Sequence, residues 1–167
     1  DFLTLLHGVI DSPDIPLNVS RSALQADREV KKITTYITKK VADKLSELFN
    51  KDRAEFIDKW SDMAVFVKYG YMSDDKFEER AGEFLLYKNI DNQYFTLSEY
   101  TEHVQAAQTD KNGKLVFIYS NDVQRHDAQI AAAKAKGYDV LVTDNMIDNH
   151  FMQQVEYRNN NIRFVRV

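Results

Sequence analysis

Cysteine is missing altogether. That excludes disulfides, thiol nucleophiles and thiolate metal sites, and makes a reducing, cytoplasmic location the expectation. Glycine is scarce, with five in 167 residues, and neither a G-x-G-x-x-G nor a G-x-x-x-x-G-K-[ST] run occurs, so the chain carries no glycine-rich phosphate cradle of its own. A surplus of positive charge is also lacking. Lys and Arg number 22 against 26 Asp and Glu, and the net charge of −4 creates no field that favours nucleic acid or an anionic membrane, so neither is an expected partner. No apolar run approaches the roughly 18 residues a membrane span needs. His7, His103, His126 and His150 form no H-x-x-x-H or H-E-x-x-H pattern, and no metal site is expected. The opening residues have no basic segment, no cleavage site and no initiator Met, so the chain is expected to be a piece of a longer protein without a signal peptide at this point.

The two prolines, Pro13 and Pro16, stand close together in the stretch Gly8-Val9-Ile10-Asp11-Ser12-Pro13-Asp14-Ile15-Pro16-Leu17-Asn18-Val19-Ser20-Arg21. Each fixes its own φ and pushes the preceding residue toward extended geometry, so 12–17 reads as a stiff loop. Asn18 and Ser20 suit the start of a helix, and Ser22 with Gln25 fits the S-x-x-Q capping box. Arg21 therefore sits where a rigid loop enters a helix, with Gln25 one turn further along the same face. A guanidinium held this way can meet an anion supplied by another surface; it can equally be solvated, or paired with Asp11 or Asp14.

Farther on, Ile33, Ile37, Val41, Leu45 and Leu48 recur at helical spacing, which predicts one helix over 22–49 with Lys31, Lys32, Lys39 and Lys40 facing water. A second helix is expected over 53–68, burying Phe56, Trp60, Met63 and Val67 and stopping at Gly70. A third, capped by 73–75, would carry Phe77, Ala81, Phe84 and Leu85. Residues 87–97 read as a connector, and Thr96 with Glu99 starts a short helix to about 107. After a turn at 109–113 the character changes. Residues 115–119, 138–142 and 162–165 are short apolar runs, the first of them continuous as expected of a strand buried on both faces. They alternate with helical segments 122–136 and 147–156, and strand–helix–strand–helix–strand spells a parallel sheet with right-handed crossovers. The fold class is thus α/β: the end of a first α/β unit, a helical middle segment, then a small βαβαβ unit with a parallel sheet. The expected division is 1–50, 51–108 and 109–167.

The loop from Gly8 to Arg21 closely resembles the middle-domain loop of the ninety-kilodalton heat-shock chaperone family, in its bacterial branch. Lys68-Tyr69-Gly70 with Asp75 and Phe77, then Phe95-Thr96-Leu97-Ser98-Glu99-Tyr100, then Val140-Leu141-Val142-Thr143-Asp144 with Ile147, Asp148 and Met152 are similar to later blocks of that domain, in the same order. The resemblance implies a chaperone that assists protein folding. It implies that Arg21 contacts the terminal phosphate of ATP held by a separate N-terminal domain and that Gln25 assists, both as catalytic residues. Pro13, Pro16, Asn18 and Ser20 would shape the loop. ATP and Mg would be bound mainly by that other domain and not by this piece alone. Implied partners are the N-terminal ATPase domain and C-terminal dimerisation domain of the same protein, and unfolded or partly folded clients. The family usually has an acidic and a larger apolar residue where Ser22 and Ala23 stand, a departure that leaves Arg21 and Gln25 in place.

Two other classes of function fit parts of the chain. A stand-alone α/β nucleotide- or phosphate-binding enzyme would use the later sheet, with Asp144 and Asp148 as ligands and Ser120-Asn121-Asp122 near the phosphate. A structural docking module would use exposed aromatics. For Asp144 the expected structural role is to cap the following helix, and Trp60 is expected in the core rather than at an interface. The proline loop yields a test. Replacing Pro13 and Pro16 with glycine should leave thermal unfolding within a few degrees, since such loop changes amount to about 1 kcal/mol or less each. Turnover of the full-length parent should fall as Arg21 samples more orientations; a variant that unfolds while its folded fraction keeps normal turnover would make the loop structural instead.

Overall fold

An uninterrupted stretch with no proline or glycine from Arg28 to Lys51 builds the first helix of the computed structural model, which describes residues 28–167, with side-chain surroundings from Lys31 onward. The strand expected over 2–10, the proline loop and the start of the first helix lie outside the described residues. Helix α1 (Arg28–Lys51) meets α2 (Arg53–Ser73) at a single residue, Asp52, whose backbone leaves the helical region and whose side chain accepts the Glu55 N–H at 3.1 Å. The buried face of α1 differs from the expected stripe. Thr38, Ala42, Leu45 and Ser46 are buried, Ile33, Ile37 and Val41 are half-buried, and Leu48 is exposed. Small residues let the helix approach its neighbours closely, and polar pairs hold it there: Ser46 donates to Glu83 at 2.5 Å and Arg80 to Asp43 at 2.6 Å. Lys31, Lys32, Lys39 and Lys40 are exposed, as the spacing predicts.

Helix α2 buries Phe56, Trp60, Val67, Gly70 and Tyr71, while Met63 is only half-buried. It does not stop at Gly70. That glycine keeps helical geometry and the following Tyr71 packs edge-on against Phe151, ring centroids 5.2 Å apart, so continuing the helix buries an aromatic ring. The break comes at Asp74, extended in backbone, which accepts the Phe77 N–H at 2.9 Å and begins α3 (Asp75–Ala81). Phe84 and Leu85 lie beyond the end of α3, yet are fully or almost fully buried.

Residues 87–97 are more than a connector. β1 (Tyr87–Lys88) and β2 (Tyr94–Phe95) pair antiparallel, and the turn between them places Asn92 at φ 57°. Fully buried Asn89 organises this turn. Its carbonyl oxygen accepts the N–H groups of Asp91 and Gln93, and its amide donates to Gln93 and to Asp139 across the molecule. The capping box at Thr96 and Glu99 forms, and α4 (Leu97–Val104) ends a turn earlier than its expected limit.

The last third is the expected parallel unit. β3 (Leu115–Ser120), α5 (Asp127–Ala135), β4 (Val140–Val142), α6 (Ile147–Arg158) and β5 (Ile162–Arg166) form a three-stranded parallel sheet in the order β4–β3–β5. α5 starts later than expected because Asp122 to His126 close a turn, the Asp122 side chain accepting the Arg125 N–H. It stops before Gly137, at φ 82°. β3 buries Leu115, Phe117 and Ser120 while Val116, Ile118 and Tyr119 stay half-buried, so this strand is covered unevenly rather than fully on both faces. An aromatic file runs from Phe95 through Tyr100 and Phe117 to Phe164 at centroid distances of 5.4, 4.9 and 5.4 Å, joining α4 to the sheet. Among the described residues no helix is long and apolar enough to cross a membrane.

Two ion pairs tie distant parts together. Lys68 on α2 donates to Asp148 on α6 at 2.5 Å; Asp148 is 2% exposed and its other oxygen accepts the Asn145 N–H at 3.0 Å. Lys68→Ala strands that carboxylate, which should cost about 3–5 kcal/mol and lower Tm by about 10 °C or more in thermal unfolding. Lys68→Met combined with Asp148→Leu should recover most of the loss, and a single variant as stable as the parent would show the pair to be dispensable. At the other end of α2, Arg53 forks onto both oxygens of Glu99 at 2.8 and 2.7 Å. That hydrogen bonding, helped by the Thr96 N–H, holds the Glu99 carboxyl at about 2 against an ordinary 4.5. A depressed carboxyl contributes stability that is present above pH 4.5 and lost as pH falls toward 2. Because the two side chains are 39% and 41% exposed, solvent screening limits the gain to about 1 kcal/mol. Glu99→Gln should therefore unfold a few degrees earlier than the parent at neutral pH, and the two melting curves should converge as pH approaches 2; a gap that stays constant with pH would refute the pairing.

Candidate functional site

The sequence-predicted catalytic residues Arg21 and Gln25, with loop-shaping Pro13, Pro16, Asn18 and Ser20, lie outside the described residues. The structure does describe α1, into which they lead, Arg21 standing seven positions before Arg28. α1 is fixed along its second half to α3 and the segment after it, through Asp43–Arg80 and Ser46–Glu83. The Arg80 hydrogen bond holds the Asp43 carboxyl below its usual range, so this pair stays ionised over the working pH range. Along the outside of the same helix runs a basic face of exposed lysines, with the Lys40 ammonium 5.5 Å over the Tyr36 ring.

At the carboxyl end of β4 a cleft of about 260 Å³ opens between α2, the β1–β2 hairpin and the start of α6, lined among others by Trp60, Lys68, Tyr87, Thr143, Asp144 and Asp148. Parallel sheets commonly place ligands at such an edge, so it is where a stand-alone enzyme would work. The local bonding opposes that use. Asp148 spends one oxygen on Lys68 and the other on the Asn145 N–H, so neither is left to bind a metal or a phosphate-bearing ligand. Asp144 is exposed and does not cap α6. The Ile147 N–H is taken by the Asn145 side chain at 3.2 Å, because Asn145 sits two positions before it in the turn that Asp148 closes. Among the described residues no group of three or more His, Asp or Glu side chains is placed to hold a metal ion. Trp60 is a core residue, 5% exposed and packed beside Phe56.

Sequence reading did not foresee two features. The Lys68–Asp148 bond escapes it because its partners stand 80 positions apart, although each lies in a block that resembles the chaperone family. Ser120 and His126, six positions apart at the end of β3, are linked through the His126 Nδ1 at 2.9 Å.

Comparison with known proteins places this geometry. The chain is 49% identical over all 167 residues to chaperone protein HtpG of Porphyromonas gingivalis, and 48% identical to that of Bacteroides thetaiotaomicron. A more distant relative, chaperone protein HtpG of Mycolicibacterium paratuberculosis, is 29% identical over 153 residues, 89% of this chain. The chain spans 24% of the length of the first two relatives. In fold it is similar to the middle domain of a Plasmodium falciparum heat shock protein, with a TM-score of 0.70 over 99% of this chain and 63% of that one, at 16% identity. The family model described as Hsp90 protein matches residues 1–166, and with it the loop, the helical middle and the parallel sheet find one common frame: the chain belongs to the Hsp90 protein family.

Proposed function

We infer that this chain is a middle-domain piece of an ATP-dependent chaperone that assists the folding of client proteins. Its own contribution to ATP hydrolysis would be Arg21, with Gln25 beside it. The observation that carries this is the 49% identity to an HtpG chaperone along the entire chain. The nucleotide and Mg would be held mainly by a separate N-terminal domain. Fit to that role rests on the chemistry of the donors. A guanidinium keeps its charge at any working pH and presents a fork that matches phosphate oxygens, while a glutamine amide adds a neutral hydrogen bond. ATP bound next door supplies the phosphoryl group whose charge shifts during hydrolysis. Arg21, arriving on a stiff loop when the domains close, would stabilise that shifting charge as an arginine finger does. Pro13 and Pro16 would limit the entropy lost when Arg21 is held still, and Asn18 and Ser20 would fix the turn into the helix.

The same reading supplies the partners: the N-terminal ATPase domain and the C-terminal dimerisation domain of the same protein, and partly folded clients. A cytoplasmic setting and a division at 1–50, 51–108 and 109–167 go with it. The change from helices to alternating strands and helices after residue 109 supports the last boundary. In the full-length parent, Arg21→Ala should lower ATP turnover by about a hundredfold while leaving nucleotide affinity nearly unchanged, because the contact is made chiefly in the reacting state. Gln25→Ala should show a smaller deficit of the same kind. Unchanged turnover in the Arg21 variant would remove that residue from the mechanism.

A further inference from the structure

The side chains of six arginines are described, and four of them meet a carboxylate: Arg53, Arg80, Arg158 and Arg163 lie 2.7, 2.6, 2.6 and 3.9 Å from Glu99, Asp43, Asp75 and Asp110. Arg125 and Arg166 have no such partner among the described residues, and both line one cavity of about 270 Å³ together with Asn121, Asp122 and His126. The topology explains why they converge. β3 and β5 are parallel neighbours, so the segment that leaves the carboxyl end of β3 with Asn121 to His126 lies beside Arg166 at the end of β5. Open parallel sheets commonly bind ligands at the carboxyl ends of their strands.

The floor of the cavity is built rather than incidental. Ser120, fully buried at the end of β3, accepts the Asp122 N–H at 3.2 Å and lies 2.9 Å from His126 Nδ1, which leaves Nε2 as the ring nitrogen open to a ligand. Asp122 is the one carboxylate in the lining. Its Oδ1 is taken by the Arg125 N–H at 3.1 Å, leaving Oδ2 to accept a hydroxyl. Two guanidinium forks and an imidazole nitrogen against one carboxylate form a site of net positive potential.

We propose that this cavity binds a phosphoryl group, either inorganic phosphate or a phosphomonoester whose hydroxyl meets Asp122. The site is independent of the role read for Arg21 and stands on different residues. The test is titration of the 167-residue chain, followed by amide NMR, with inorganic phosphate and with ribose 5-phosphate, and with chloride as the ionic-strength control. Saturable shifts centred on Asn121, Asp122, Arg125, His126 and Arg166 are expected, weakened about tenfold in Arg125→Gln and in Arg166→Gln and unchanged in Arg21→Ala. Tighter binding of ribose 5-phosphate would identify the ester as the ligand, and equal binding would identify free phosphate. No saturable shift, or shifts that survive in the Arg125→Gln/Arg166→Gln double variant, would overturn the site. Should a glutamine variant lose spectral dispersion, Arg125→Lys and Arg166→Lys keep the charge and lose the fork; weaker binding then supports the site, and unchanged binding refutes it.

Discussion

A single buried ion pair sets the relation between the helical middle and the parallel sheet. Lys68 reaches out from α2, holds its ammonium over the Phe151 ring at 5.4 Å from the centroid, and ends on an Asp148 carboxylate that has almost no contact with solvent. Neither charge tolerates loss of the other in a low dielectric. Asp148 also holds the turn that precedes α6, so one bond fixes where α6 begins and how it lies against α2. From α6 the chain runs directly into β5, and β5 pairs along nearly the whole of β3. The position of the sheet is thus inherited from a contact between two helices.

A second seam is made by two side-chain amides that converge on Asp139. Asn89 in the hairpin and Gln108 after α4 both reach the backbone or side chain of Asp139, just ahead of β4. Gln108 also donates to the Val116 carbonyl in β3 at 2.7 Å. Both amides are buried, so their bonds have no competition from water, and each would cost free energy if left unpaired. The aromatic file from Phe95 to Phe164 covers the space between these polar anchors. Charges, amides and rings each hold a different junction.

The parallel unit was legible in the sequence because its strands are short, mainly apolar runs separated by helical spacing, a pattern that survives without knowledge of contacts. The hairpin was not, since two strands of two residues leave no alternation to read and their stability comes from Asn89 bonding to a residue 50 positions away. The face of α1 was misjudged because Thr38, Ala42 and Ser46 earn burial by being small, not by being apolar. Gly70 misled for a related reason: a glycine signals a stop only where no neighbour rewards continuing, and Tyr71 finds Phe151. Asp144 and Asn145 are both plausible caps by residue type, and only the geometry of the Asp148 turn chooses between them. For the Arg21 loop, motif carried the whole inference, and the residues lie outside the described part of the fold. In the cavity at the carboxyl ends of β3 and β5, four of the five lining residues fall within 121–126, a stretch the sequence already marks with Ser120-Asn121-Asp122, and only Arg166 is brought in by strand order.

The one-residue joint at Asp52 and the polar clamp near Ala42 give α1 the mechanics of a balanced beam. Its pivot lies where Asp43 and Ser46 are gripped, and its far arm extends from Asp43 to Arg28 by about 22 Å at 1.5 Å per residue. A tilt of about 5° at the pivot therefore moves the distal end by about 2 Å, comparable with the margin between a good and a broken hydrogen bond. Substitutions at Arg80 or Glu83 thereby alter the play in the pivot while leaving the beam itself intact.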